Sequence, residues 1–164
     1  MLLLLPLIVT VDDLFAVWAS DLGLDHLAAH MTPLETTLAA ALLQLVGVDA
    51  AAAGDRLVTS AGGLHQTLVV TWNCSGWQAF LLLLASLVIG LRREQPLAAR
   101  IEVALIGFAG MLLCNVLRIA VVALLGARFG YVPAVLFHDY GAVLLGVAWL
   151  FAFWELAYRW IFAE

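Results

Sequence analysis

The sequence predicts an all-α integral membrane bundle of about four transmembrane helices, with an amphipathic helix and a short β-hairpin on its outer side. Three observations lead there. Of the 164 residues, 65% are hydrophobic and 12% charged, with a mean hydropathy of +1.08; a soluble domain has about 45–50% apolar and roughly 25% charged residues. Several stretches stay apolar for nearly the length of a membrane crossing. The basic residues, all seven of them arginine, fall mostly in the links between those stretches.

The first apolar stretch, residues 1–18, is interrupted by Pro6 and by Asp12 and Asp13. It has the length of a signal-peptide core without a positive leading region, so it reads as a retained span. Residues 32–48 begin with Thr32 as a helix cap, Pro33 at the first helical position and Glu35 three residues after the cap. This segment reads as an amphipathic helix lying on the outer surface. Residues 56–72 alternate around Ala61-Gly62-Gly63, with strands over 57–60 and 66–72, and read as a hairpin. Residues 76–91 form a short second span with Trp72 and Trp77 at its interfacial end, 101–125 a third, and 138–162 a fourth.

The charges orient these spans. Arg92, Arg93 and Arg100 sit in the link after the second span and Arg159 at the end of the fourth, which puts both on the cytoplasmic side. Residues 12–55 carry seven acidic residues and no basic one, so they belong outside. The expected protein is a multi-pass protein of the cell (plasma or inner) membrane, surrounded by lipid, with both termini cytoplasmic. A net charge of −5 excludes the basic face of a nucleic-acid binder. No Cys-x-x-Cys, His-Glu-x-x-His or Walker-type run supports a metal or a cofactor, and none is expected.

Three polar residues then arrive at one level. Cys74 lies at the outer start of the second span. Arg118 lies in the outer half of the third, on one helical face with Met111, Asn115 and Val122. His138 and Asp139 stand at the outer entrance of the fourth. Each has an ordinary reading: an interfacial cysteine is usually inert, a histidine at a helix start caps, and Asn115 bonds between helices. Arg118 differs, since a charge inside a span costs at least about 2.5–3.5 kcal/mol. A salt bridge to Asp139 would account for it structurally. Cys114 points off the Asn115 face and reads as packing; His26, His30 and His65 read as solvated.

Three short motifs in order, "CSG" at Cys74-Ser75-Gly76, "NVLRI" at Asn115–Ile119 and the histidine of "FHDYG" at His138, resemble the exosortase/archaeosortase family of membrane-embedded cysteine transpeptidases. The likeness extends over residues 34–150, and the chain would be a compact form with fewer spans than many members. The resemblance implies a catalytic set of Cys74, Arg118 and His138, supported by Ser75, Gly76, Asn115 and Asp139. It implies cleavage of a C-terminal sorting signal on exported proteins, made of a short motif, a transmembrane helix and an arginine cluster. Cys74 would form a thioester at the outer interface, with His138 moving the proton and Arg118 stabilising the oxyanion. The acceptor would lead to a lipid or surface glycan. Two other readings stay open: a non-catalytic membrane assembly or structural protein, and a membrane cysteine protease in which water resolves the thioester.

Overall fold

The computed structural model describes residues 25–61, 64–71, 74 and 76–162. The expected first span, at residues 1–18, lies outside these, as do Trp72 and Ser75.

The first described helix, α1, runs Asp25–Leu45. It begins well before the expected cap, and Pro33 is inside it. The Thr-Pro pair is therefore an interior feature. The hydroxyls of Thr36 and Thr37 bond the carbonyl oxygens of the preceding turn, Thr37 Oγ1 donating to Pro33 O at 2.7 Å. The helix ends at Leu45 because Gly47, at φ +77°, takes the left-handed conformation. Gly47 N–H then donates to Gln44 O and Val48 N–H to Leu43 O, the paired bonds of a glycine-terminated helix. Thr32, Glu35, Thr36, Ala39, Ala40 and Leu43 form the buried stripe, spaced by three and four.

Three antiparallel strands follow in the order β1 (Asp49–Ala53), β2 (Arg56–Ala61) and β3 (Leu64–Val69). The expected hairpin is β2–β3, in register from Arg56↔Val69 to Ala61↔Leu64; β1 is an addition to it. Leu57 and Thr59 are buried while Val58 between them is exposed, the alternation of a one-sided sheet. That buried face packs with α1 against the C-terminal half of the next long helix, through Leu43, Leu57, Val70, Val116 and Ile119. Thr36 Oγ1 donates to Gly54 O at 2.7 Å and so ties α1 to the β1–β2 turn.

Helix α2 covers Trp77–Gly90, 14 residues, or about 21 Å of rise. Helix α3 covers Leu97–Phe129, 33 residues, which extends the expected third span at both ends. After Gly130, α4 (Tyr131–Leu136), a π turn (Phe137–Gly141), α5 (Ala142–Leu156) and a second π turn (Ala157–Ile161) form one helical stretch. This stretch starts at Tyr131, seven residues before the expected start of the fourth span at His138. Pro133 sits in its first turn, where a missing N–H costs nothing.

Helix α3 is the central strut. Its other half packs against α2 and α5 around Leu83, Leu87, Val103, Met111 and Phe153. Trp154 Nε1 donates to Ser86 Oγ at 3.2 Å and the Tyr158 hydroxyl to Gly90 O at 3.3 Å, pinning α5 and its final turn to α2. Leu81, Leu84, Val88, Leu105, Leu113, Val143, Leu144 and Phe151 point outward, an apolar exterior that suits lipid. Among the described residues, two helical stretches, Leu97–Phe129 and Tyr131–Ile161, are long and apolar enough to cross a membrane. Helix α2 is apolar but shorter.

Candidate active site

Cys74 sits between β3 and α2, where the chain leaves the sheet. Its N–H donates to Thr71 O at 2.8 Å, and the Thr71 hydroxyl lies 3.7 Å from its sulfur. Gly76 then turns the chain at φ +71° and accepts the first α2 bonds from Ala79 and Phe80. Only glycine fits. A Cβ there would meet Asn115 Oδ1 at 2.7 Å, in a backbone conformation that itself disfavours side chains.

Asn115 lies on the α3 face expected to be shared with Met111, Arg118 and Val122, and it is 5% exposed. Its Nδ2 donates to the Cys74 backbone oxygen at 3.0 Å and to Glu35 Oε1 at 3.0 Å. Both amide hydrogens are thereby used. One turn further along α3, Arg118 lies beside a small cleft whose apolar walls are Leu68, Val70, Ile119 and Val122, with Cys74 and His138 on its other side.

His138 enters from the π turn. The i→i+5 pattern adds a residue to the helical turn and re-aims the side chains it carries. His138 Nδ1 is 3.0 Å from Asp139 Oδ1. A carboxylate can only accept, so Nδ1 carries the hydrogen and a neutral ring presents a lone pair at Nε2. Two donors face that lone pair: Cys74 Sγ at 3.6 Å and Arg118 NH2 at 3.2 Å. The same guanidinium nitrogen lies 3.4 Å from His138 O. The salt bridge considered between Arg118 and Asp139 does not form; Asp139 pairs with the imidazole, and Arg118 takes the opposite ring nitrogen.

Electrostatics favour the thiolate. Burial alone would push the Cys74 thiol up. The bond to His138, the two contacts with Thr71 and the charge of His138 outweigh it and bring the thiol down to about 7. Cys114, on α3, forms no disulfide with it; both thiols are free.

Cys74, Arg118, His138, Asp139, Asn115 and Gly76 therefore converge, while Ser75 lies outside the described residues. The sequence reading missed Glu35 as part of this cluster. It is 0% exposed, and burial raises its carboxyl to about 7 against the opposing bond from Asn115 and the charge of Arg118. Its phase with Ala39 and Leu43 on the buried stripe was the available signal. The arrangement can move a proton from sulfur to nitrogen, and it holds a cation within reach of a new negative charge.

The family model for transmembrane exosortases matches residues 1–154. No curated protein and no solved structure matches the chain.

Proposed function

Because the chain belongs to the transmembrane exosortase family, we propose that it is a sorting cysteine transpeptidase that cleaves the C-terminal sorting signal of exported proteins at the outer membrane–water boundary. The observation that carries this reading is the line Cys74 Sγ–His138 Nε2, at 3.6 Å, continued by His138 Nδ1–Asp139 Oδ1 at 3.0 Å. A thiol, a base and an orienting carboxylate in that order are the parts of an activated nucleophile.

The chemistry follows from the same contacts. His138 Nε2 takes the Cys74 proton, and the sulfur bonds to the substrate carbonyl carbon. At that moment Nε2 becomes an N–H on a cation, 3.2 Å from the Arg118 guanidinium. Two unit charges so placed repel by roughly 5 kcal/mol at an effective dielectric of about 20. Arg118 leaves the ring nitrogen as the tetrahedral oxyanion appears, and donates to that oxygen. His138 then returns its proton to the departing amine nitrogen as the C–N bond breaks, leaving the acyl group on Cys74. An acceptor nucleophile resolves the thioester and regenerates the thiol. Asn115 holds the Cys74 carbonyl throughout, which fixes the loop that aims the sulfur.

Expressing Cys74→Ala with a tail-bearing substrate tests the reading, with Cys114→Ala as the matched control. The substrate should keep its tail in the first and lose it in the second. Normal processing by Cys74→Ala would remove the nucleophile, and the transpeptidase reading with it.

A further inference from the structure

The buried carboxyl of Glu35 has no place in the steps above, although it reaches the site through one residue. Glu35 Oε1 accepts one hydrogen of Asn115 Nδ2 and the Cys74 carbonyl accepts the other. The chain Glu35–Asn115–Cys74 thus crosses from α1 through α3 to the nucleophile's loop. It joins elements 80 residues apart in sequence. Glu35 Oε2 is buried and has no hydrogen-bond partner among the described residues. An apolar residue there would spare that desolvation, so the carboxyl's burial is offset by what it does make, the bond from Asn115 at Oε1 and the charge of Arg118.

We propose that Glu35 is a positioning residue for the thioester chemistry: as a buried acceptor it locks the Asn115 amide, which locks the Cys74 carbonyl and so the position of the sulfur relative to His138 and Arg118. The physical reason lies in the amide's geometry. With two acceptors in place, only one rotation of the Asn115 side chain satisfies both hydrogens. Remove the Glu35 acceptor and one hydrogen is orphaned inside the protein. The amide then turns to find another partner and releases the Cys74 carbonyl. Gly76 confines the opposite edge, since Asn115 Oδ1 lies only 2.7 Å from where a Cβ on Gly76 would be. The loop is held by the sheet through the Val70 N–H bond to Asp55 O and by the amide, and Glu35 governs the second hold. What Glu35 contributes is an acceptor atom. Glutamine supplies the same atom, and methionine, of similar length, does not.

This inference rests on Cys74 being the nucleophile, and the experiment separates the two. Full-length enzyme, solubilised in detergent, is assayed against a tail-bearing substrate as wild type, Cys74→Ala, Glu35→Gln, Glu35→Met, Asn115→Ala and the Glu35→Met/Asn115→Ala double variant. Leu43→Ala, which loosens the same helix packing without touching the chain of bonds, serves as the comparator. Glu35→Gln should stay within about threefold of wild type. Glu35→Met should lose about tenfold to a hundredfold in kcat, the scale of an ångström-level misplacement, with KM little changed. The double variant should be no worse than Asn115→Ala alone, since both act through one bond chain. The proposal is overturned if Glu35→Met keeps the wild-type kcat, or if its loss adds in full to that of Asn115→Ala. It is equally overturned if Leu43→Ala, at the same melting temperature as Glu35→Met, loses as much kcat. Processing by Cys74→Ala would instead overturn the nucleophile reading on which it rests.

Discussion

Replacing His138 by phenylalanine should return the Cys74 thiol from about 7 to the ordinary range near ~8.5. An aromatic ring still fills the site and Arg118 keeps its 3.4 Å contact with the backbone oxygen of residue 138, but the contact at 3.6 Å and the imidazole charge are gone. Burial pushing up and the Thr71 contacts pulling down remain. At pH 7 the thiolate fraction then falls from about one half to ~3%. Intrinsic nucleophilicity rises with thiol pKa, by ~5-fold over that interval at a Brønsted slope of about 0.45. The net exchange rate at pH 7 therefore drops only about threefold, while above pH 9 the variant should be the faster of the two. The assay is thiol–disulfide exchange with dithiodipyridine, followed by absorbance from pH 5 to 10. It is run in a Cys114→Ala background so that Cys74 is the one thiol observed. A wild-type midpoint near ~8.5, or rate profiles that do not cross, would refute the claim that His138 stabilises the thiolate.

Four other outcomes are expected. Arg118→Lys should lose about 10²–10³-fold in processing, the scale of a missing oxyanion donor, because an ammonium lacks the planar fork that spans Nε2 and a nearby oxygen; single-turnover cleavage measures it. Gly76→Ala should lower both melting temperature and cleavage rate, since the left-handed backbone costs roughly 1–2 kcal/mol and the new Cβ presses on Asn115. Gly54→Ala, at φ +63° but in open space, should cost stability alone. Glu35, raised by burial to about 7, binds its proton more tightly folded than unfolded. Its ionisation therefore destabilises the fold as pH rises from about 4.3 to about 7, by about 3 kcal/mol in all. Melting temperatures of wild type and Glu35→Gln across that window should diverge in favour of the glutamine variant at the upper end.

Much of the site was legible because each of its parts carries a local signal. Cys74 borders a glycine turn, Arg118 is a charge in an apolar helix, and His138 follows another apolar run. Hydropathy found the long helices, and alternation found β2 and β3. What stayed hidden was either non-local or masked by a stronger local pattern. The β1 sequence Asp49–Ala53 is four alanines after an aspartate, which favours helix; it is a strand because β2 offers it a ladder from Asp49↔Ser60 to Ala53↔Arg56. The Thr-Pro-x-Glu run looks like a helix cap, and that likeness concealed Glu35 as a buried partner of Asn115, 80 residues away. Asp139 invited pairing with Arg118, but the π turn at Phe137–Gly141 set its carboxylate on the neighbouring imidazole. The last helix begins seven residues before His138 because Pro133 serves as a first-turn proline and not as a helix breaker.

The most direct test of Cys74 as nucleophile is the mass of the enzyme itself during turnover. Enzyme purified rapidly from cells making a tail-bearing substrate is digested and analysed by mass spectrometry, with and without neutral hydroxylamine. A substrate-derived acyl group on the Cys74 peptide, released by hydroxylamine and missing from Cys74→Ala, is the expected result. Substrate that loses its tail while Cys74 stays unmodified and the acyl group sits on Cys114, or on no thiol at all, would contradict it.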